Sequence, residues 1–344
     1  MHRRLLLLLL LACAASSGCA LAIAQDRLPQ IGAPPAQEAV KELGPGDHDR
    51  MLVVDERERT FIVHVPPTYD KTKPIPVVLA FHGLGLPSSM MPSYTNLNET
   101  ADKNGFVVVY PAGIALSWNA GARKGPLAEG RADDVKFTSE MLDDLERVLN
   151  IDKRRVYATG MSNGGMLCYR LANELSHRIA AIAPVSGTMT YTKITSKRAV
   201  PVIHFHGTAD ELVYYDRKRE VLAGRLFIES TPDTISAWAK FNGCTAEPVE
   251  TALPDKEADE TTVVKTDYGA GRDGAEVILY TIKGGGHTWP GVKPPAEPLS
   301  ERFLGATTYD ISANDLMWEF FAKHPMPEGV IKDAPPKNPQ ERSL

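Results

Sequence analysis

Alternating and continuous apolar runs divide the chain into short strand-like and longer helix-like segments. Residues 51–54 and 60–65 are β-rich and flank the charged Asp55-Glu56-Arg57-Glu58-Arg59, a pattern that predicts a hairpin. Short apolar runs at 76–81, 106–110, 156–159, 179–185 and 200–205 read as buried strands. Between them, Phe137, Met141, Leu142, Leu145, Val148 and Leu149 recur at helical spacing over 134–150, with Asp133 and Asp134 as caps. Shorter helical patterns surround Leu97 and Ala101, begin again at Met166, Leu167, Arg170 and Leu171, and return over 231–241 and 315–321. Residues 246–276 are charged and glycine-containing and read as a surface excursion with one strand at 261–266, followed by a strand at 276–282. Strands separated by helices repeat at least three times, which predicts an α/β fold with a mostly parallel, doubly wound sheet and helices on both faces.

Length and composition refine this picture. At 344 residues and 43% hydrophobic, the chain can bury one sizeable α/β domain plus tails. A formal net charge of -5, without a basic run beyond the N-terminus, gives no reason to expect a nucleic-acid partner. Arg3 and Arg4 precede an apolar run from Leu5 to Leu11 and then small residues, the layout of a secretory signal. That run is too short to span a bilayer. Cleavage after Ala22-Ile23-Ala24 would leave Gln25 first; the alternative is a lipid anchor at Cys13 or Cys19, each in an imperfect attachment box. The expected layout is therefore a signal at 1–24, a Pro-rich linker at 25–46, a catalytic domain at 47–325 and a disordered tail at 326–344. Such a protein is exported, extracellular or periplasmic. Cys168 reads as a core thiol, and a bridge to Cys244 stays open.

One corner concentrates the candidate chemistry. Gly160-Met161-Ser162-Asn163-Gly164 falls between a predicted strand and a predicted helix, the setting of a nucleophile elbow. The glycines let strand and helix approach closely and push the Ser162 hydroxyl out. His82-Gly83-Leu84-Gly85 follows the predicted central strand, so the amides of Leu84 and Asn163 are the expected oxyanion donors. Asp210 and His287 each stand just beyond a later strand, in the order serine, acid, histidine. A histidine can take the serine proton, and a carboxylate can fix its tautomer. Gly284-Gly285-Gly286 ahead of His287 suggests a mobile approach. His82, Trp118 and Trp289 are candidates for the substrate cleft, with packing as the competing reading for each. His204 and His206 are expected on opposite strand faces, which disfavours joint metal ligation. No metal or cofactor is expected.

The chain resembles the secreted esterases of the polyhydroxybutyrate depolymerase and feruloyl esterase family, carbohydrate esterase family 1. The matching blocks are Phe81-His82-Gly83, residues 105–111, Ser117-Trp118-Asn119-Ala120-Gly121, residues 154–165, His206-Gly207-Thr208-Ala209-Asp210 and residues 284–291. They extend over nearly all of 50–325. The resemblance implies an α/β-hydrolase fold and a Ser162, Asp210, His287 triad that hydrolyses carboxylic esters. Leu84 departs from members with glycine or cysteine there, a change that a backbone donor tolerates. Members often carry a cysteine near Tyr268-Gly269-Ala270-Gly271, so the resemblance also implies that Cys244 has lost its usual partner. Residues outside the catalytic domain leave no room for a polymer-surface module. That argues against crystalline polyester, and Trp118 and Trp289, expected on the catalytic rim where they could line a cleft for an aromatic acyl group or a sugar ring, place feruloyl or acetyl esters of plant polysaccharide ahead of 3-hydroxybutyrate oligomers. The rivals are a serine peptidase of the same fold and a non-catalytic hydrolase-fold binding protein, which would lack a triad member where none is lacking here.

Overall fold

The computed structural model describes residues 42–121, 132–221, 226–293 and 303–330. The signal segment 1–24 with Cys13 and Cys19, linker residues 25–41 and tail residues 331–344 lie outside the described residues. In chain order the elements are β1 (Gly46–Val54), β2 (Arg57–Val65), β3 (Ile75–Phe81), α1 (Met91–Thr95), α2 (Leu97–Asn104), β4 (Val107–Pro111), α3 (Asp134–Val148), β5 (Ile151–Met161) and α4 (Asn163–Glu174). They continue as β6 (Ile182–Val185), β7 (Val202–Gly207), β8 (Arg219–Val221), β9 (Leu226–Ile228), α5 (Thr231–Asn242), β10 (Val249–Ala252), β11 (Thr262–Ala270), β12 (Glu276–Lys283) and α6 (Ala313–Lys323).

Ten of these strands form one sheet in the order β1-β2-β4-β3-β5-β6-β7-β12-β11-β10. The six from β4 to β12 are parallel to their neighbours, and two antiparallel strands extend each edge. Strand order reverses between β4 and β5, on either side of β3, and ligands of open α/β sheets bind at such a reversal.

Alternation along each strand sorts the sheet's side chains into two cores. Val77, Leu79 and Phe81 of β3, with Val107 and Val109 of β4, pack under α3, α4 and α5 through Phe137, Leu167 and Trp238. Val78 and Ala80, with Val108 and Tyr110, pack on the other face against Tyr94, Leu97, Met317 and Phe321. A sheet covered on both faces needs continuous apolar strands, which is the pattern in the sequence.

Several boundaries differ from expectation for identifiable reasons. The first hairpin turns on Asp55 and Glu56 alone, both at positive φ, because Arg57, Glu58 and Arg59 join the ladder of β2. Arg59 is buried there and pairs with buried Asp134 at 2.6 Å. Asp133 caps α3 by accepting from the amides of Val135 and Lys136. The excursion before β12 adds β10 and β11 to the sheet edge. Past Pro325 the chain stays docked: Met326 is fully buried and its amide donates to Arg154 O at 2.7 Å, so the ordered domain extends beyond the expected boundary.

Candidate active site

β5 ends at Met161 and α4 begins at Asn163, which leaves Ser162 alone to reverse the chain. It does so at φ 56, ψ -117, a conformation that non-glycine residues rarely adopt and that marks stored strain. Its amide donates to Val185 O at 2.8 Å and its carbonyl accepts from Met166 N at 2.9 Å, so both sides of the residue are pinned. Room for this corner requires glycine. A Cβ on Gly160 would stand 2.7 Å from Phe81 O, and one on Gly164 would overlap the same oxygen. Gly187, after β6, packs against Ser162 O with no space for a Cβ, a requirement that its sequence context did not announce.

The two expected oxyanion donors lie beside this corner. Asn163 opens α4, whose first-turn amides have no intrahelical acceptor. Leu84 follows Gly83, where a built Cβ would stand 3.6 Å from Ser162 Cβ. Bonds from Gly85 N to Leu116 O at 2.9 Å and from Leu86 N to Gly83 O at 3.2 Å hold the turn. Among the described residues, the Leu84 amide has no backbone acceptor.

His82 does not reach substrate space. It is fully buried, with Nδ1 donating to Gly83 O at 2.8 Å and Nε2 accepting from Gly113 N at 2.9 Å. Burial pushes its pKa down, with Gly83 O opposing, so the ring is an uncharged strut between two loops. Trp118 combines both readings. Its Nε1 donates to His82 O at 2.9 Å, and the residue also lines the cavity above Ser162. The Asn163 side chain clasps it, Oδ1 accepting from Trp118 N at 2.7 Å and Nδ2 donating to Trp118 O at 3.2 Å. Trp289 is a packing residue: buried, it donates from Nε1 to Asn314 Oδ1 at 2.9 Å and takes no part in the cavity wall.

Asp210 and His287 meet directly, His287 Nδ1 donating to Asp210 Oδ2 at 2.6 Å. Oδ1 of the same carboxylate accepts from the amides of Leu212 at 2.9 Å and Val213 at 2.8 Å. Burial alone would raise the Asp210 pKa; the donors His206 and His287 outweigh it and hold the group well below the usual carboxylate range. The loops carrying the pair are stitched together by Thr208 N to Ile282 O and Ala209 N to Gly285 O, each 2.9 Å. The glycines before His287 serve close packing rather than mobility, since a Cβ on Gly286 would overlap Leu304 O and one on Gly207 would overlap Gly285 O.

Ser162, Asn163, Gly83, Leu84 and His287 open onto one cavity of about 560 Å³. Among the described contacts no hydrogen bond joins Ser162 to His287; catalytic pairs commonly tighten only around substrate. Tyr94, Met161, Met166, Leu212, Val213, Ile228 and Leu304 also line it, together with Leu86, Ser117 and Ala120. Burial, with Asp210 nearby, pushes the Tyr94 phenol up to about 12, so it is a neutral donor. Of these wall residues only Met161, inside the elbow motif, and Met166, at the start of the following helical pattern, fell in a local sequence signal, with Ser117 and Ala120 in a block of the family resemblance. A serine on a strained strand-to-helix corner, two nearby amides, and an acid-histidine pair across a shared cavity can together support acyl transfer through a covalent intermediate.

A doubly wound, mostly parallel sheet with this corner at the C-terminal edge of its strands defines an α/β-hydrolase. The Esterase family model, described as putative esterase, matches residues 54–240. The chain is 30% identical over 284 residues to the putative esterase NocK of Nocardia uniformis subsp. tsuyamanensis, covering 79% of this chain and 81% of that protein. It therefore belongs to this esterase family and is a carboxylic ester hydrolase. It is also similar to the bifunctional acetylxylan esterase/xylanase XynS20E of Neocallimastix patriciarum, at 29% identity over 62% of this chain and 29% of that protein. Feruloyl esterase B of Piromyces equi matches at 28% identity over 67% of this chain and 42% of that protein. The chain thus spans less than half the length of the latter two. Among solved structures, acetyl xylan esterase from Aspergillus awamori shares the fold at a TM-score of 0.54 and 14% identity, covering 75% of this chain and 99% of that one. Among the described residues, no helix is long and apolar enough to cross a membrane.

Proposed function

We propose that Ser162, His287 and Asp210 form the catalytic triad of an exported esterase that acts on acyl groups of plant polysaccharide. The carrying observation is the 2.6 Å bond from His287 Nδ1 to Asp210, on a cavity shared with Ser162. With Nδ1 donating, Nε2 bears the lone pair and takes the Ser162 proton as Oγ attacks the ester carbonyl carbon. The oxyanion develops toward the Leu84 and Asn163 amides. Collapse expels the alcohol, which takes the proton from His287, and leaves an acyl-enzyme. Water then attacks with the same proton transfers reversed.

The wall favours a feruloyl group over acetyl. Among the described residues the lining holds no carboxylate, lysine or arginine, and Leu84, Leu86, Met166, Leu212 and Leu304 suit a flat apolar acyl chain. The names of the acetylxylan and feruloyl esterase relatives support the polysaccharide class. Export rests on the basic-apolar segment at residues 3–11 and is read by the mature N-terminus, at Gln25 or at a lipidated cysteine.

Ser162→Ala is expected to remove about a million-fold of turnover on a short aryl ester while circular dichroism stays unchanged. Retention of a few per cent of activity would exclude Ser162 as nucleophile. Turnover on methyl ferulate, acetylated xylan and hydroxybutyrate oligomers, compared side by side, ranks the acyl groups; oligomer turnover without ferulate release would reject the ordering.

A further inference from the structure

Behind the Asp210 carboxylate lies a row of buried polar groups that the reaction as written does not use. His204 and His206 lie two apart on β7, so a strand's period of two places both rings on one face, contrary to the opposite faces expected. Their centroids are 5.4 Å apart and both residues are fully buried.

The protons in this row are determined by one contact. His206 Nε2 lies 2.8 Å from Val213 O, and a carbonyl only accepts, so Nε2 carries the hydrogen. The same nitrogen lies 3.4 Å from Asp210 Oδ2, so the ring edge that donates to Val213 O also borders the carboxylate. The Nδ1 lone pair then accepts from Thr231 Oγ1 at 2.9 Å and from His204 Nε2 at 3.1 Å. That leaves His204 Nδ1 to accept from Tyr169 OH at 2.9 Å. Burial, with His206 adjacent, pushes His204 far below the ordinary imidazole range and keeps it uncharged. Every donor in the row therefore points toward Asp210.

We propose that His206 is a positioning residue for the acid of the triad: its Nε2–H holds the Asp210 carboxylate and the Val213 carbonyl in one geometry, opposite His287. The inference rests on the assignment of Asp210 and His287 above. Oδ1 is occupied by two backbone amides, so the His206 and His287 donors divide Oδ2 between them. Without His206 the carboxylate charge is less shared, and it binds the imidazolium form of His287 more strongly. The titratable groups facing His206 are His204, Tyr215 edge-on at 5.9 Å, and Asp210, with Tyr169 beyond His204. His287 and Tyr94 act on the same carboxylate.

The test compares His206→Phe, which removes the donor, with His206→Gln, whose amide N–H can stand in for Nε2–H. The Phe variant is expected to lose about tenfold in kcat with KM little changed, and the acid limb of its kcat/KM profile moves to higher pH. The Gln variant restores most of both. Equal loss in the two variants, or an unmoved acid limb in a folded Phe variant, overturns the proposal. Should the Phe variant not fold, nitrogen-15 spectra of the wild-type histidines decide: the 2.8 Å contact to Val213 O predicts that His206 carries a hydrogen on Nε2. An Nδ1–H tautomer, with Nε2 bare, refutes it. Asp210→Asn assayed alongside separates this outcome from an error in the triad, since near-normal activity there would remove the acid itself.

Discussion

Replacing Asp210 with asparagine tests the site at its most constrained atom. Oδ1 accepts from two backbone amides, at 2.9 and 2.8 Å, so the single oxygen of an asparagine must occupy that position. Its NH₂ group then falls where Oδ2 met His287 Nδ1 at 2.6 Å. Two donors cannot face each other there, and the imidazole must carry its hydrogen on Nε2, the nitrogen needed to accept the Ser162 proton. A wrong tautomer in a serine triad costs about 10⁴-fold in kcat, or about 5.4 kcal/mol of transition-state stabilisation. Because the substitution is isosteric and leaves the cavity wall untouched, KM should change little. Initial rates on p-nitrophenyl acetate across substrate concentration measure both quantities, with circular dichroism confirming the fold. A kcat within tenfold of wild type would refute the reasoning, because it would mean that His287 does not depend on Asp210 for its tautomer.

Three further outcomes follow from the same contacts. The depressed Asp210 pKa contributes stability that is present above the unfolded carboxyl value of about 3.9 and lost as pH falls through the folded value. Denaturant melts should therefore show wild type losing its advantage over Asp210→Asn below about pH 4. Gly164→Ala forces a methyl onto Phe81 O and should cost about 1–3 kcal/mol or more in urea unfolding, together with activity; an unchanged midpoint would show that the elbow has slack. Trp289→Phe loses the bond to Asn314 and should lower stability by about 1–3 kcal/mol while leaving KM for aryl esters unchanged, whereas a large KM change would return Trp289 to the cleft.

The parts of the site that repeat a local rule were readable along the chain. A strand, a glycine-flanked serine and a helix form one contiguous signal, and Asp210 and His287 follow strands whose apolar runs are unmistakable. The cavity wall was not readable. Tyr94, Met166, Leu212 and Leu304 come from separate loops and helices, and only tertiary packing brings them together. Trp289 and Trp118 illustrate the same limit: each is a tryptophan in a loop near the site, but only Trp118 lines the cavity. Gly187 is indistinguishable from a turn glycine until Ser162 O is found against it. The strand carrying His204 and His206 was located, yet the sides of its histidines were misread, although period two places both on one face. Cys244 shows a partial success. It is a free thiol whose Sγ lies 3.3 Å from Gly269 O, in the segment where the family resemblance suggested its missing partner.

The division of labour between backbone and side chains around Ser162 bears on how such an enzyme changes its diet. Glycines 160, 164, 187, 207 and 286 are locked against main-chain atoms, so almost any replacement there disturbs the scaffold of the reaction. Met166, Leu212 and Leu304 instead line the cavity without taking part in the proposed proton transfers, and swapping one apolar residue for another there reshapes the space without moving a proton-transfer group. Acyl-group preference and the glycine frame around Ser162 therefore rest on separate positions of this chain, so substitutions that reshape the cavity wall need not touch the close-packed glycines.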